Sequence, residues 1–412
     1  MAPPRIAILG AGPIGLEAAL YAATAGLPVT VFDVGRVGEH LRHWGHVKLF
    51  SPFSMNSTPL GRTRIKTDHP GQNLPADTAL LTGREHLAAY LEPLADSPLL
   101  RGTLRLQTRV VAVGRGGILK ETDPGSATRG KHPFRLLMRS EKGEERMEEA
   151  DVVLDCTGTY GKPRWLGDGG MPAVGEMAAR PNIAPGLEDI LGDRRTHYAD
   201  KTTLVIGAGY SAATTVSNLA TLAERHAGTW ILWLARATRT QPIHRFVNDA
   251  LRERDQIAVR ANTLATRADG CVEFHPGSLV DAVEFRGADK GFLVRGRRND
   301  KAMTWEAERL IANVGFTPDS NLCRELQVHE CYASLGPMSL AAALSKHAGG
   351  DCLAVPPQGA ATLRNPEPNF FILGAKSYGR NSNFLLRVGF EQVREVFTLI
   401  TGKADLDLYK KR

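Results

Sequence analysis

The sequence predicts an α/β fold because it contains two separate strand–turn–helix units. The first glycine-rich turn, residues 10–15, follows the apolar run 6–9 and precedes a helix-like stretch rich in alanine and leucine. The second turn, residues 207–212, follows the apolar run 203–206 and precedes another helix-like stretch. A strand, a tight turn and a helix N-terminus form the arrangement that holds the pyrophosphate of a dinucleotide. Two such turns in one chain predict two Rossmann-like domains, two dinucleotides and electron transfer between them.

The glycines of the first turn have distinct roles. Gly10 permits the tight turn, Gly12 lets the pyrophosphate approach the backbone, and Gly15 allows the helix to pack closely on its strand. Pro13 suits the first turn of that helix, and Gly26 is expected to cap its C-terminus.

An acidic residue ends the second strand of the first unit. The strand 29–32 leads directly into Asp33. A carboxylate at this place suits a pair of ribose hydroxyls and repels a 2′-phosphate. The first unit is therefore expected to bind FAD or NAD, and not NADP.

The second unit carries positive charge at the corresponding place. Its second strand, 230–234, is followed by Arg236 and Arg239. A charge-assisted hydrogen bond contributes about 1.5–3 kcal/mol, which favours a 2′-phosphate by roughly ten- to a hundredfold. We therefore expect NADPH in preference to NADH, with solvated surface charge as the alternative reading of the arginines. Ser211 offers a hydroxyl to the phosphate or caps the turn, and Ala212 replaces the third glycine.

Composition and patterning exclude several other classes of protein. The 51 lysines and arginines exceed the 44 acidic residues, but the net charge of +7 is spread along the chain. No alternation of basic and aromatic residues indicates nucleic-acid binding. No apolar run is long enough to span a bilayer, and the first strand begins too early for a cleavable signal. We therefore expect a cytoplasmic enzyme with a small-molecule substrate; a homodimer is compatible with the sequence.

The five cysteines show neither a CxxC motif nor the spacing of metal ligands, and the histidines are scattered. No metal site is predicted. Cys323 and Cys331 leave a disulfide open, although free thiols are expected in the cytosol.

The predicted organisation inserts one nucleotide domain into the other. The expected domains are the N-terminal part of the FAD domain at 1–165, the NAD(P)H domain with its linker at 166–312, and the C-terminal part of the FAD domain at 313–412. The expected elements include a polar stretch at 36–85, a helix at 85–94, a strand at 104–113, a flap at 114–132, a small β-meander at 134–139 and 145–149, a buried strand at 151–158, a linker at 161–195, and a final helix at 383–402.

These motifs resemble those of the two-dinucleotide flavoprotein superfamily, which includes disulfide reductases and class B flavin-containing monooxygenases. The resemblance covers nearly the whole chain and implies FAD at the first turn and NAD(P)H at the second. It also implies that the final helix points its N-terminus at the flavin, where its dipole stabilises the negative charge of reduced flavin. Many relatives carry Gly-Asp before this helix, whereas this chain has Gly374-Ala375, which favours the monooxygenase branches that also lack the acid.

The residues implied for FAD are Gly10, Gly12, Pro13, Ile14, Gly15, Asp33, Trp44, Val111, Thr157, Gly158, Gly374, Asn383 and Phe384. The residues implied for NADP are Gly207, Gly209, Tyr210, Ser211, Ala212, Arg236 and Arg239.

The resemblance leaves three functions open. A dithiol relay is disfavoured because 34–60 contains no cysteine and the second domain contains only Cys271. The first function is a monooxygenase, in which a peroxyflavin oxygenates a small substrate at nitrogen, sulfur or a carbonyl; the segment 38–56 resembles the stretch of those enzymes in which a Trp packs by the flavin. The second is a reductase of ferredoxin or a low-molecular-weight disulfide, which the unmatched FxGxxxHxxxW/Y fingerprint supports. The monooxygenase is preferred to it because of the missing cysteine pair and the segment that contains Trp44. A non-catalytic dinucleotide sensor ranks last.

Three side chains are candidates for the reaction itself. Trp44 either stacks on the flavin or anchors its loop by packing. His46 either hydrogen-bonds flavin or substrate or is a surface imidazole. Arg380 precedes the final helix, where polar groups of flavin or substrate are expected, and the alternative is a simple capping loop.

Overall fold

The structure is a computed structural model that describes residues 2–267, 270–347 and 350–410. The chain divides into two compact units. The first combines Met1–Lys162 with Thr317–Arg412, and the second consists of Pro163–Phe316. The second unit thus interrupts the first along the sequence.

The elements are numbered along the chain. The strands are β1 Ile6–Leu9, β2 Val29–Phe32, β3 Leu104–Arg105, β4 Thr108–Arg115, β5 Phe134–Ser140, β6 Glu145–Ala150, β7 Val152–Asp155, β8 Thr202–Ile206, β9 Trp230–Ala235, β10 Val272–Pro276, β11 Ser278–Phe285, β12 Phe292–Arg298, β13 Lys301–Ala307, β14 Arg309–Ala312 and β15 Phe370–Ile372. The α-helices are α1 Pro13–Thr24, α2 Glu39–His43, α3 Pro59–Asp68, α4 Gly83–His86, α5 Glu92–Asp96, α6 Glu176–Ala179, α7 Arg195–Tyr198, α8 Tyr210–Ala223, α9 Arg252–Thr266, α10 Met338–Ser345 and α11 Leu386–Thr401. A π-helical turn, Leu87–Leu91, joins α4 to α5, and short 3₁₀ helices include Asn321–Cys323 and Gly374–Tyr378.

The first unit is built on a parallel sheet with the strand order β15-β7-β1-β2-β3. Strands β1 and β7 are buried throughout, as expected for parallel strands covered on both faces. Ile6 and Ile8 face a core that includes α1 and α11, whereas Ala7 and Leu9 face the antiparallel sheet β4-β5-β6.

The second unit repeats this architecture. Its parallel sheet has the order β10-β9-β8-β14, and its antiparallel sheet has the order β11-β12-β13. Trp233 and Val205 pack towards α8 and α9, and Leu204 and Leu234 pack towards the antiparallel sheet. Each unit therefore places helices on one face of its parallel sheet and three antiparallel strands on the other.

Two of the sequence predictions were wrong in this region. The predicted strand 104–113 is two strands in different sheets, because Gln107 turns the chain with a φ of +52° between β3 and β4. The predicted linker 161–195 is packed into the second unit from Pro163 onwards: Leu166 and Ile183 are buried in its core, and backbone bridges pair this stretch with β11 and β14. The segment is rich in glycine and proline and contains turns, but it still packs against the core of the second unit.

The stretch 36–85 was predicted only as polar. It contains α2, α3 and the first turn of α4. The side chain of Thr58 accepts a hydrogen bond from the Gly61 N–H and caps α3, and Thr82 and Glu85 form a capping box at α4. Among the described residues, no helix combines the length and hydrophobicity needed to cross a membrane.

Candidate dinucleotide-binding sites

The first glycine turn is packed against the end of β7. Gly10 has a φ of +104°, and a Cβ there would lie 2.7 Å from the carbonyl oxygen of Cys156. A Cβ at Gly15 would collide with the carbonyl oxygen of Gly10. Gly12 differs from both, because no atom lies within 4 Å of the position that its Cβ would take. The middle glycine therefore faces open space, while the outer two are required by the packing of the turn itself.

The N-terminus of α1 opens onto this space. Gly12 is its N-cap residue, and no side chain caps the helix. The Asp33 carboxylate accepts hydrogen bonds from the N–H groups of Ala11, at 2.6 Å, and Gly35, at 2.7 Å. Each carboxylate oxygen retains a lone pair that could accept from a ribose hydroxyl. Uncapped helical N–H groups and an open approach fit the pyrophosphate of a dinucleotide.

A buried ion pair lies behind the turn, and sequence reasoning missed it. The Lys376 ammonium donates to Asp155 Oδ2 at 2.6 Å and to Thr157 Oγ1 at 3.0 Å, and the Thr157 hydroxyl donates to Asp155 Oδ1 at 2.7 Å. The side chains of Lys376 and Asp155 are 2% and 0% exposed, whereas Thr157 is exposed. Burial lowers the pKa of Lys376, but attraction and hydrogen bonding to Asp155 outweigh burial and raise it overall. Lys376 is therefore held in its charged ammonium form.

The turn, the Gly374 loop and α11 are in contact. A Cβ at Gly374 would lie 3.2 Å from Cγ1 of Ile14, and a Cβ at Gly389 in α11 would collide with the same side chain. The Gly374 N–H donates to Gln392 Oε1 at 2.8 Å. The first glycine turn, Gly374 and α11 thus meet, and the side chain of Ile14 packs between them.

The final helix starts later than the sequence predicted. It begins at Leu386 after the N-cap residue Leu385, so Asn383 and Phe384 lie in the preceding loop. The physical reason is local: Asn381 Oδ1 accepts a hydrogen bond from the Asn383 N–H at 3.0 Å, which holds the chain in a turn. No side chain caps the start of α11.

Trp44 packs as an anchor and also leaves a polar atom unsatisfied. Its indole lies against Gly83, where a Cβ would approach the ring to 2.8 Å, and its ring centroid is 6.3 Å from that of Tyr160. Trp44 Nε1 and His46 Nε2 are both buried without a hydrogen-bond partner in the described parts of the chain. Such atoms are uncommon and fit contacts with a bound group.

The described residues between 329 and 363 lie over the loop that precedes α11. The Asn383 side chain donates to the Gly350 carbonyl at 3.2 Å, and the Arg387 guanidinium donates to the Leu353 carbonyl at 2.6 Å. Leucine and valine side chains of this segment share a small core with the start of α11. The segment therefore covers the end of the helix that the resemblance places at the flavin.

Two further predicted residues occupy more peripheral places. Arg380 is exposed, and its backbone N–H donates to the Ser334 carbonyl at 2.7 Å. Val111 lies at a bulge in β4, where the register with β5 shifts between Val110 and Ala112. A bulge leaves one residue outside the strand pairing.

The second glycine turn has the same construction. Gly207 has a φ of +141°, and a Cβ there would collide with the carbonyl oxygen of Asn313. At Gly209 no atom lies within 4 Å of the Cβ position, and α8 begins after it without a side-chain cap. The Tyr210 hydroxyl donates to the carbonyl of His244 at 3.0 Å. This unit therefore offers a second open helix N-terminus.

The basic residues of the second unit are accessible. Arg236 is exposed directly after β9. Arg239 is exposed, and its Nη2 donates to the Pro242 carbonyl at 2.5 Å. Ser211 is exposed at the start of α8, whereas Ala212 is fully buried in the core.

Sequence reasoning also missed Asn313. Its Oδ1 is buried without a partner among the described residues, while its Nδ2 donates to the Gly186 carbonyl at 3.1 Å. It follows β14 just as Cys156 follows β7, and each abuts the first glycine of its turn. This equivalence between the units was the signal that could have identified it.

The cysteines provide no disulfide among the described residues. Cys323 and Cys331 are free, as are the other three. Burial raises the pKa of the Cys323 thiol to about 12 and also raises that of Cys156. No group of three or more His, Cys, Asp or Glu side chains within 2–267, 270–347 and 350–410 is placed to hold a metal ion.

The chain is similar to known proteins in sequence over about half of its length. No protein-family model matches the chain. A Mycobacterium tuberculosis NAD(P)H dehydrogenase (quinone) is 30% identical over 222 residues, which are 51% of this chain and 39% of that protein. The chain therefore spans well under half the length of the curated relatives it matches.

Solved structures match over almost the entire chain. The bacillithiol disulfide reductase Bdr (YpdA) of Bacillus cereus is 16% identical with a TM-score of 0.68, covering 98% of this chain and 100% of its own. An ornithine N-hydroxylase of Kutzneria, solved with reduced FAD, NADP⁺ and L-ornithine, is 14% identical with a TM-score of 0.61, covering 98% and 100%.

These matches confirm the predicted resemblance in fold, an α/β architecture with two Rossmann-like domains. The hydroxylase structure holds FAD and NADP⁺. Because the neighbours include both a disulfide reductase and an N-hydroxylase, the fold does not select between those reactions.

Proposed function

We propose that this chain is an FAD- and NADPH-dependent oxidoreductase in which electrons leave the flavin directly for the acceptor. The observation that carries the proposal is the repeated turn: each unit combines an uncapped helix N-terminus with an open middle glycine, Gly12 or Gly209. One such turn in isolation is weak evidence, but the repetition in two separate units supports two dinucleotides.

The first unit contains the groups that would hold FAD. The N-terminus of α1 would bind the pyrophosphate, and Asp33 would accept from the adenosine ribose. The uncapped start of α11 carries a partial positive charge suited to an anionic ring. When bound, FAD supplies hydride acceptance and the chemistry of reduced flavin; the protein supplies position and electrostatics.

The second unit contains the groups that would hold NADPH. The N-terminus of α8 and the exposed Ser211 hydroxyl would bind the pyrophosphate, and the exposed guanidinium of Arg236 would pair with the 2′-phosphate. Asn313 presents an unsatisfied amide oxygen next to this turn, which fits an additional hydrogen bond to the nucleotide.

The thiols argue for direct transfer to the acceptor. Burial keeps Cys156 and Cys323 protonated, and a thiol reacts with a disulfide only as the thiolate. The described residues contain no disulfide that could pass electrons onward. Neither of these two buried thiols is therefore suited to relay electrons from the flavin.

Within this class, we propose a monooxygenase that oxygenates a small substrate at nitrogen, sulfur or a carbonyl. The supporting observation is that the described residues between 329 and 363 contact the loop before α11 and its first turn through Asn383 and Arg387. Exclusion of water from the reaction site suppresses wasteful side reactions of reactive intermediates. A covered site thus suits oxygenation of a small molecule.

The second candidate is a reductase of a planar acceptor such as a quinone. Tyr160 is 44% exposed, and its ring lies 5.7 Å from His40 and 6.3 Å from Trp44, measured between centroids. An exposed aromatic surface of this kind binds planar rings. The relative named as a quinone dehydrogenase, similar over half of this chain, also favours this candidate.

The deciding experiment is anaerobic reduction of the FAD-loaded protein with NADPH, followed by rapid mixing with O2. A monooxygenase is expected to consume O2 well before the absorbance of oxidised flavin returns, and a true substrate lowers the yield of hydrogen peroxide. A reductase is expected to return directly to oxidised flavin, and a quinone accelerates that return. Failure of the purified protein to bind FAD would contradict both candidates.

The nucleotide preference is tested by Arg236→Ala. Loss of its guanidinium is expected to raise the KM for NADPH by roughly ten- to a hundredfold and to leave the KM for NADH nearly unchanged, because only NADPH carries the 2′-phosphate. The measurement is the rate of flavin reduction against the concentration of each nucleotide. Arg225→Ala, an exposed arginine beyond the C-terminal end of α8, is the matched control. Equal effects on both nucleotides would exclude a contact with the 2′-phosphate.

A further inference from the structure

We infer that the buried pair formed by Asp155 and Lys376 sets the preference of the first site for reduced over oxidised FAD, with Lys376 acting as a positioning residue. The inference rests on the proposed function in one respect, namely that FAD binds to the first unit. It assigns a role to two side chains that neither the motifs nor the resemblance identified.

The pair holds the loop after β7 in place. Lys376 Nζ bridges Asp155 Oδ2 and Thr157 Oγ1, and Asp155 Oδ1 accepts from both the N–H and the hydroxyl of Thr157, at 3.1 and 2.7 Å. Three of these four bonds involve Thr157, the exposed member of the cluster. The buried charges therefore fix the residue that faces the site.

The location of the cluster connects it with the dinucleotide turn. Thr157 Cα lies 3.2 Å from the position that a Cβ at Gly10 would take, so the loop and the turn are in contact. Lys376 belongs to the 3₁₀ helix Gly374–Tyr378, whose first residue packs on Ile14. The pair thus joins two segments, one after β7 and one after β15, that flank the same turn.

The chain differs here from the pattern of its relatives. Many members of the superfamily that the chain resembles carry an acid directly after the glycine at this position, where this chain has Ala375. The next residue, Lys376, instead brings in a cation that neutralises a buried carboxylate on the adjacent strand. The local charge therefore depends on both members of the pair being present.

Removing Lys376 and removing Asp155 are expected to change the preference for reduced FAD in opposite directions. Reduced flavin carries more negative charge than oxidised flavin, so a nearby cation favours the reduced form and a nearby anion disfavours it. Removing the ammonium takes a positive charge away from the site, and removing the carboxylate takes a negative charge away. A merely structural role would impair the site in the same way in both cases.

Other ionisable groups near the pair contribute little charge to the first site. Asp319 is the other acidic group whose charge acts on Lys376, and its side chain is 56% exposed, so solvent screens it. Cys323 also lies near the pair, but burial keeps its thiol protonated. The field behind the turn is accordingly dominated by Asp155 and Lys376.

The test compares Lys376→Met, Asp155→Asn and the double variant with the wild type, all as FAD-loaded protein. The midpoint potential is measured by equilibration with a redox dye, and the apoprotein melting temperature reports folding. We expect Lys376→Met to reduce the preference for reduced FAD at least tenfold, which is about 30 mV towards negative potential for a two-electron couple. We expect Asp155→Asn to shift the potential in the opposite direction. The double variant and Lys376→Arg are expected to stay within about threefold of the wild type.

Glu367→Gln is the matched control. It removes a carboxylate that is also 0% exposed and is paired with Arg115 and Arg129, but before the amino end of β15. We expect it to lower the apoprotein melting temperature without changing the preference for reduced FAD more than about threefold. A shift as large as that of Lys376→Met would show that general destabilisation is responsible and would overturn the inference.

The remaining outcomes are also decisive. Shifts of the two single variants in the same direction, or no shift in either while FAD binds, would overturn the inference. If neither single variant gives soluble protein, Thr157→Val decides, because it removes the hydroxyl that both members of the pair contact: a change of at least tenfold in the preference for reduced FAD supports the inference, and an unchanged preference refutes it. Absence of FAD binding in the wild type would instead refute the proposed function.

Discussion

Replacement of Gly12 by alanine is expected to abolish FAD binding while leaving the apoprotein as stable as the wild type. The backbone at Gly12 has a φ of −81° and a ψ of −174°, a conformation that alanine adopts readily. No atom lies within 4 Å of the added Cβ, so the substitution creates no clash within the protein. The methyl group occupies the space through which the pyrophosphate would approach. We expect the FAD affinity to fall at least about a hundredfold, as measured by titration of the apoprotein with FAD.

Two matched variants test whether the effect belongs to that site. Gly209→Ala has the same open surroundings in the second turn and is expected to bind FAD normally but to lose NADPH. Gly71→Ala, in a loop where the Cβ position is also open, is expected to bind both dinucleotides. A Gly12→Ala protein that binds FAD as tightly as the wild type would show that no dinucleotide approaches this turn.

The two turns could be predicted from the sequence because their chemistry is local. Each requires specific residue types within six positions, and β1, β2 and α1 follow directly from the apolar runs around the first turn. The contrast between Asp33 and Arg236 is also visible in the sequence, since each residue follows the second strand of its unit.

The remainder of the site depends on contacts between distant parts of the chain. Asp155 and Lys376 are separated by 221 positions, and nothing near either residue indicates the other. The linker prediction for 161–195 failed for a related reason: its apolar residues are too widely spaced to show a period, and they are buried only through contact with β11 and β14. The start of α11 was misplaced because an asparagine side chain, and not an apolar pattern, decides it.

A buried carboxyl group on α1 leads to the second major prediction. Glu17 is 0% exposed, and its oxygens accept hydrogen bonds from Thr58 Oγ1 at 2.9 Å and from the Tyr90 hydroxyl at 3.2 Å. Burial raises the pKa of Glu17 from 4.5 to about 7, and the hydrogen bonds only partly oppose it. Tyr409 also faces this carboxyl from the C-terminal segment. For Glu17, the rise in pKa from 4.5 to about 7 corresponds to a difference of about 3 kcal/mol in how strongly the folded protein favours its protonated form over its ionised form.

The sign of the effect follows from the direction of the shift. Because the pKa of Glu17 is higher in the folded protein than in the unfolded chain, the folded state binds the proton more tightly. Its contribution to the free energy of unfolding is therefore fully present below pH 4.5 and is lost as the pH rises through 7. At higher pH the folded protein must hold a buried anion, which is why a neutral side chain is preferable there.

The stabilising contribution of a neighbouring histidine, His86, depends on pH in the opposite direction over the same pH range. His86 is buried, its ring stacks on Tyr90 with centroids 5.7 Å apart, and burial lowers its pKa from 6.5 to about 4. Its stabilising contribution is present above pH 6.5 and is lost as the pH falls through 4. The two groups offset each other, so the wild-type curve alone does not reveal Glu17. The difference between the wild type and a Glu17 variant does.

Glu17→Gln is expected to be stabilising, and increasingly so as the pH rises. The amide keeps the shape of the carboxyl group but never ionises, so the melting temperature of the variant relative to the wild type should increase by several degrees between about pH 5 and about pH 8. Glu141→Gln, which changes an exposed carboxylate, should give a difference that does not vary with pH. Parallel curves for wild type and Glu17→Gln would mean that the carboxyl group stays ionised throughout. In that case the hydrogen bonds from Thr58 and Tyr90, and not burial, would determine its charge.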